Sequence, residues 1–449
     1  MLSVIRSSWA LLLGLGLLMV GNGLQGTLLG VRGSLEGFST FQMSLVMAGY
    51  FLGFLGGSQL TPELIRRVGH VRVFAALASF ISAVLIMYPL VANPIAWTLL
   101  RVLIGFCFSG VYVTAESWLN NASTNENRGK ALSLYMVVQM TGIVAAQGIL
   151  TLGDPSGFVL FIVPSVLVSV AFAPILLSVS PVPPFETAKP LSIRRLFNVS
   201  PLGCVGVFLL GGVFSGLFGM SAVYGSQAGM TVNQISLFVA AIYVGGLMLQ
   251  FPIGWLSDRM DRRRLILGSA ALAALTSVVA VMFESYFPVL LIVSFVIGGM
   301  ANPLYALLIA YTNDYLEYEE MAAASGGLVF INGIGAITGP LATGWIMSLF
   351  GPSGFFVFQG VLMALLAAYA LYRMTQRPAP TVEDTGVYTP ILPTATAVAA
   401  EVAQEYAIDT AIEVAEAEAD AEERAAASDE GLSATPAPQS PVRPAPQND

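Results

Sequence analysis

Twelve apolar runs of about twenty residues dominate this chain and leave it few ways to fold. They lie near 8–30, 39–60, 72–92, 95–118, 130–151 and 157–179. After a polar interval they resume near 201–226, 232–255, 265–284, 287–312, 323–350 and 354–375. A bilayer core offers the backbone no water, so only helices or closed barrels cross it. Barrel strands would read as alternating segments of about ten residues, whereas these runs are continuous. The chain is therefore expected to be an all-α polytopic membrane protein. Only 10% of its 449 residues are charged, against about 25% in soluble domains.

The net charge of −8 hides two different polymers. Residues 1–377 hold 17 Lys and Arg against 13 Asp and Glu, while residues 378–449 hold 2 against 14. The tail is rich in Ala, Glu, Pro and Thr, and disorder is its expected state. Val402, Ile408 and Ile412 are too sparse to give it a core, so 395–427 reads as a transient acidic helix. The expected organisation is an N-terminal half over 1–180, a linker over 181–200, a C-terminal half over 201–377, and the acidic tail over 378–449. Basic residues fall almost wholly on alternate sides of the spans. One side takes fifteen, among them Arg6, Lys130, Lys189, Arg195 and Arg373, and the other takes Arg32 alone. By the positive-inside rule both termini and the linker are expected in the cytoplasm. The acidic loop from Asn313 to Glu320 dissents, but acids carry little orienting weight. The first span has no small-residue cleavage site and reads as a retained anchor.

The densest charge sits in a hairpin between two spans, Gly254-Trp-Leu-Ser-Asp258-Arg259-Met-Asp261-Arg262-Arg263-Arg264. Charges of this number belong at a membrane surface. Moving back 192 residues finds a second basic hairpin, Pro62-Glu-Leu-Ile-Arg66-Arg67-Val-Gly69-His-Val-Arg72. At an offset of 193, Tyr112 aligns with Tyr305, Asn120 with Asn313, Glu126 with Glu319 and Gly142 with Gly335. These relations imply a duplicated six-helix unit. The hairpins resemble the signature loop of the major facilitator superfamily, Gly-x-x-x-Asp-Arg-x-Gly-x-Arg-Arg. Gly254, Asp258, Arg259, Arg263 and Arg264 fit the second copy, with Asp261 in place of glycine. Arg67, Gly69 and Arg72 fit the first, with Pro62 and Arg66 in place of the glycine and the aspartate. Arg-Val-Gly-His and Glu-Ser-Trp-Leu-Asn together resemble the family's uncharacterised YcaD-like branch. The resemblance implies twelve transmembrane helices in two pseudo-symmetric six-helix halves, in a bacterial inner membrane. It also implies a site near the midplane, reached alternately from each face.

Arg101-Val-Leu-Ile-Gly105 resembles the family's Arg-x-x-x-Gly motif on its fourth helix, which makes Arg101 the candidate for proton coupling. A guanidinium stays charged, and an ionisable group inside a membrane is a functional candidate by default, although a satisfied structural charge is the plain alternative. Arg101, Gly105, Phe108, Tyr112 and Glu116 fall close to one helical face. Glu116 is expected to latch a cytoplasmic gate by pairing with Arg66, Arg67 or Arg72, the gate also involving Gly69, Gly254, Asp258, Arg259, Arg263 and Arg264. Candidates for a central cavity are Asn22, Gln25, Arg101, Tyr112, Tyr224, Gln227, Tyr243, Gln250, Asn302, Tyr305 and Asn332. Isolated polar residues of this kind also serve as ordinary interhelical hydrogen bonders. Pro303 is expected to bend its helix. The Gly-Pro motif of drug/proton antiporters is incomplete at 142–148 and keeps its proline only at Pro340.

Cys107 and Cys204 lie within spans, His70 is the only histidine, and no Walker loop is present, so no metal, cofactor or nucleotide chemistry is read from the chain. No nucleophile–base constellation points to an enzyme and nothing points to nucleic acid. The expected function is secondary active transport of a small solute, anionic or amphipathic, with proton coupling and uniport both left open. The competing reading is a non-transporting scaffold that presents the acidic tail to a cytoplasmic protein. Deleting the tail near Arg377 separates them, since a transporter would keep working without it.

Overall fold

The computed structural model describes residues 2–121, 123, 125–177, 191–377, 385–386, 388–410 and 412, and all regular structure among them is helical. The N-terminal half holds α1 (Leu2–Leu35), α2 (Thr40–Val68), α3 (His70–Met87), α4 (Pro94–Asn121), α5 (Asn125–Leu150) and α6 (Val159–Leu177). A short α7 (Ile193–Val199) leads into the C-terminal half. That half holds α8 (Pro201–Ser215), a π-helical turn (Gly216–Met220), α9 (Ser221–Gln227), α10 (Val232–Ser257), α11 (Arg262–Met282), α12 (Phe287–Asn313), α13 (Tyr318–Phe350) and α14 (Gly354–Gln376). Among the described residues eleven helical stretches are long and apolar enough to cross a membrane, α8 to α9 counting as one, and α6 is shorter, with Val159–Ala173 as its apolar part. Leu99, Leu275, Ile292 and Leu365 are exposed on their flanks, as side chains facing hydrocarbon would be.

The two halves repeat each other at the level of single contacts. Ser39 and Gln42 form a capping box at the start of α2, and 192 residues on Thr231 and Gln234 form one at the start of α10. Side chain and backbone satisfy each other's orphan donors in both. A Cβ at Gly53 would overlap the Val102 carbonyl oxygen where α2 crosses α4, and one at Gly245 would overlap that of Phe295 where α10 crosses α12. Gly105 and Gly298 are the reciprocal glycines of those crossings, against Tyr50 and Ile242. Gly142 meets α1 at Gly16 and Val20, as Gly335 meets α8 at Phe208 and Gly212. Small residues let these backbones approach closely, which is what associates helices in lipid.

The halves meet directly at the end away from the basic hairpins. There Gly30 packs on Ala222 and Val223, Gly344 on Ser44, and Gln227 donates to Thr40. At the hairpin end they part, and chain from the tail lies between them. Residues 388–392 run into the gap without helix or strand and a final helix, α15 (397–410), fills its mouth. This part of the tail differs from the disorder expected of it. Large apolar residues are indeed few, but Ala395, Ala399 and Ala403 recur every fourth residue and are buried with Val398 and Val402. α12 continues through Pro303 as one helix.

Candidate functional site

Where the halves part, a cavity of about 90 Å³ lies at the centre of the molecule. Asn22, Tyr50, Arg101, Tyr112, Gln139 and Gln147 line it from the N-terminal half, and Phe218, Gly219, Tyr243 and Asn302 from the other. Leu392, Pro393 and Thr394 of the tail close it on the hairpin side. Phe218 and Tyr243 stack at 5 Å (4.7 Å between centroids). The π-helical turn that carries Phe218 and Gly219 interrupts the α8–α9 span beside the cavity, a placement common at functional sites.

Arg101 is the charge of this cavity. It is 4% exposed; its Nη1 donates to Gln25 Oε1 at 2.9 Å and its Nη2 to Met47 Sδ at 3.5 Å. The guanidinium also lies 4.7 Å from the centre of the Tyr50 ring. Its Nε has no partner, and no carboxylate among the described residues pairs with it. Gln25, buried behind it, donates in turn to Tyr88 Oη at 3.5 Å. Asn22 Nδ2 donates to Tyr112 Oη at 3.1 Å and to Tyr50 Oη at 3.3 Å, holding two phenols on the cavity wall. A full positive charge in a low-dielectric wall, offset by one amide, a thioether and a ring face, is incompletely compensated.

The eleven cavity candidates therefore divide. Asn22, Arg101, Tyr112, Tyr243 and Asn302 reach the central cavity, and Gln25 supports Arg101. Gln250 and Asn332 lie nearer the mouth, where Gln250 donates to Tyr388 Oη at 2.8 Å and Asn332 to the Pro393 carbonyl at 3.2 Å. Three stand elsewhere. Tyr224 is enclosed by Phe238, Phe355 and Phe356, Gln227 lies at the sealed end, and Tyr305 is wholly buried within the C-terminal half. Helical periodicity gave their face but not their depth. Tyr50, Gln139 and Gln147 were missed; Tyr50 sits next to Phe51 in an apolar run with no polar neighbour to mark it.

At the hairpins the expected latch is not made. Glu116 accepts from Tyr135 Oη at 2.7 Å and from Thr396 Oγ1 of the tail, not from Arg66, Arg67 or Arg72. Arg66 and Arg67 pair instead with Glu63 at 2.6 and 2.8 Å, one helical turn back on their own helix. Glu63 thus supplies the acid that the hairpin lacks at its usual position. Gly69 turns the chain between α2 and α3 with φ of +85°, a conformation in which glycine has no rival. Its counterpart Asp261 has φ of −54° and caps α11 by accepting from the Arg263 N–H at 2.9 Å. Burial lifts the Asp261 carboxyl, but hydrogen bonds from Arg263 outweigh that and hold it below the usual carboxylate range. Arg262, not among the gate candidates, is buried, as is Arg263, and bonds Asp314, Ser257 and the Gly386 carbonyl. Burial raises the Asp314 carboxyl against the pull of Arg262. Asp314 with Arg262 and Glu320 with Arg195 also explain the acidic loop on the basic side: its acids face basic partners there. Arg259 lies over the Trp255 ring, and Asp258 accepts from the Tyr388 N–H at 2.9 Å. Among the described residues no group of three or more His, Cys, Asp or Glu could hold a metal ion.

The family model described as Major Facilitator Superfamily matches residues 11–232 and 203–404. The chain is 25% identical over 374 residues to the uncharacterised MFS-type transporter YcaD of Salmonella arizonae, covering 82% of this chain and 96% of that one. It is 28% identical over 319 residues to the uncharacterised MFS-type transporter YfkF of Bacillus subtilis, covering 69% and 81%. Among solved structures, a mutant form of the nucleoside transporter NupG matches with a TM-score of 0.72 at 14% identity, covering 82% of this chain and 99% of that one. A bacterial homologue of the lysosomal transporter Spinster, in an inward-facing and unoccupied conformation, matches with a TM-score of 0.63 at 16% identity, covering 90% and 98%. At such identities the structural likeness shows the fold alone.

Proposed function

The chain belongs to the major facilitator superfamily, in its YcaD-like branch, and on that premise we propose that it carries a small anionic or amphipathic solute across the bacterial inner membrane by alternating access. It is a multi-pass membrane transporter rather than an enzyme. The finer reading counts α6 as a twelfth span and sets both termini and the basic hairpins in the cytoplasm, the side on which the halves part. NupG is a nucleoside transporter; at its distance from this chain the solute is better read from the cavity.

The observation that carries the substrate class is Arg101, a buried cation in a cavity wall with no carboxylate partner. A carboxylate or phosphate brought by the solute would complete the guanidinium's hydrogen bonds in a dry site, where charge-assisted bonds are strongest. Tyr50, Tyr112, Tyr243 and Phe218 would take an apolar or aromatic body beside it. Arg101 cannot release a proton, so its part in coupling is electrostatic, through the charge that the solute brings. The scaffold reading loses support from residues 388–410, which are folded into the mouth of the cavity rather than presented outward.

The test is a panel of anionic, neutral and cationic solutes on purified protein, followed by uptake into proteoliposomes with and without an imposed pH gradient. A bound solute raises apparent stability. Anions should stabilise the wild type and Arg101→Lys, while Arg101→Gln should weaken their binding by about 10- to 150-fold, the worth of a hydrogen bond to a charged group. Neutral or cationic solutes that bind all three proteins equally, with no anion binding, would refute the assignment. Uptake that requires the gradient supports proton coupling, and uptake without it makes the protein a facilitator.

A further inference from the structure

The tail is joined to the body by more specific contacts than a passing disordered segment would make. The α15 end nearest the cavity rests on Glu116, whose carboxylate accepts the Thr396 hydroxyl and the backbone N–H groups of Thr396 and Ala399. A carboxylate at a helix N-terminus satisfies donors that the helix itself leaves open. Further along, Arg128 of α5 pairs with Asp409 at 3.1 Å and Glu405 at 3.4 Å, and Asn313 donates to Gln404. The segment before the helix is held by the other half. The Tyr388 ring lies against Gly254, where a Cβ would stand 2.6 Å from it, and its hydroxyl accepts from Gln250. Tyr388 is 7% exposed and Thr396 wholly buried.

Two consequences follow from where these contacts fall. The first is steric. Leu392, Pro393 and Thr394 occupy the entrance of the central cavity and leave about 90 Å³, less than the roughly 150 Å³ of an apolar cavity that takes up benzene. The second is conformational. Glu116 and Arg128 belong to the N-terminal half, and Gln250, Gly254, Asp258 and Asn332 to the other, so one segment is bonded to both walls of the mouth. Alternating access requires those walls to close on each other, which they cannot do around a seated helix.

We infer that residues 388–410 are a built-in plug: docked, they exclude solute from the central cavity and hold the hairpin-side mouth open, and the transport cycle requires their release. This replaces the expectation that loss of the tail leaves transport unchanged; a chain ending after Arg377 should cycle faster. The same surface, vacated, is a groove for an alanine-rich acidic helix with a hydroxyl at its start.

The test needs no solute, so it reads the plug whether or not the transporter assignment is right. Gln139→Cys places a thiol on the cavity wall, and the unsubstituted protein, whose Cys107 and Cys204 are buried, gives the background. In purified full-length protein this thiol should react slowly with a polar maleimide. It should react about tenfold faster or more in the chain ended after Arg377, the effect of a plug seated at least nine-tenths of the time. Thr396→Asp in the full-length chain sets a second carboxylate against Glu116 and should accelerate labelling in the same way, and a synthetic peptide of residues 385–412 should restore protection to the shortened chain. Spin labels at Lys130→Cys and Trp255→Cys, on α5 and α10 at the mouth, should show a new shorter distance once the tail is removed. Equal labelling of full-length and shortened chains, or full protection of Thr396→Asp, overturns the docking. Faster labelling with an unchanged spin-label distance overturns the conformational arrest.

Discussion

Gly53 and Gly56 lie three residues apart on α2, and alanine should act in opposite directions at the two. A Cβ at Gly53 would overlap the Val102 carbonyl oxygen and stand 2.7 Å from its carbon and 2.9 Å from the Phe106 nitrogen. All of these are backbone atoms of α4, so no side-chain rotation relieves the contact. Ordinary non-bonded contacts lie at about 3.5–4.0 Å, so the helices must part by on the order of 1 Å and forfeit a quarter to a half of the dispersion along their seam. Overpacking costs about 1–3 kcal/mol, and a rigid crossing that also includes Gly49, Gly57 and Gly105 puts Gly53→Ala at the upper end. Nothing lies within 4 Å of a Cβ at Gly56. There alanine gains helix propensity, up to about 1 kcal/mol. Thermal unfolding of the purified variants, followed by loss of the monodisperse species on size exclusion, should place Gly53→Ala several degrees below wild type and Gly56→Ala at or above it. Gly245→Ala, the equivalent in the second half, should behave as Gly53→Ala does. If Gly53→Ala melts with or above Gly56→Ala, the argument that glycine fixes the α2–α4 crossing fails.

Two further expectations concern the second hairpin. The depressed carboxyl of Asp261 contributes stability that is complete above its unfolded pKa and is lost as pH falls through the lower folded value. Asp261→Ala should therefore cost about 1 kcal/mol at neutral pH, with a penalty that fades in acid; a penalty constant down to about pH 3 would exclude the mechanism. Arg262→Gln strands the buried Asp314 and should cost about 3–5 kcal/mol. Adding Asp314→Asn should recover much of that, so simple additivity in the double-mutant cycle would show that the two side chains are not a coupled pair.

How much of this was legible in the sequence depends on whether the signal was local. The duplication was, because Gly142 and Gly335, aligned at an offset of 193, solve the same packing problem twice, although the paired hydroxyl–glutamine caps of α2 and α10 were not read. The hairpins were too, since charges cannot enter hydrocarbon. Depth was harder to read. Arg259 and Arg262 are separated by three residues in one basic run, yet one covers an exposed Trp255 face and the other is buried on Asp314. Nothing in the run distinguishes them, because Asp314 lies outside it, at the far end of α12. Glu116 was singled out as a gate latch, but two of its expected partners, Arg66 and Arg67, are paired with Glu63 on their own helix. The seating of residues 388–410 was missed for a different reason. Their apolar content was judged by Val and Ile, whereas the groove between the halves accepts a stripe of alanines.

The placement of charge in the tail bears on what kind of occupant it is. Residues 378–449 carry 14 acidic side chains, and Arg101 is the buried cation that a carboxylate would satisfy best. Yet the residues set into the cavity beside Arg101 are Leu392, Pro393 and Thr394, all uncharged. The acids of the docked segment lie at the rim, where Asp409 and Glu405 meet Arg128. The plug is thus anchored around the mouth and leaves the centre electrostatically unfilled. A segment that served as a permanent filling would lower its own free energy most by bringing a carboxylate to Arg101, since a buried charge is costly until it is paired. This one forgoes that contact. The anionic solute proposed above would make a bond to Arg101 that the plug does not make.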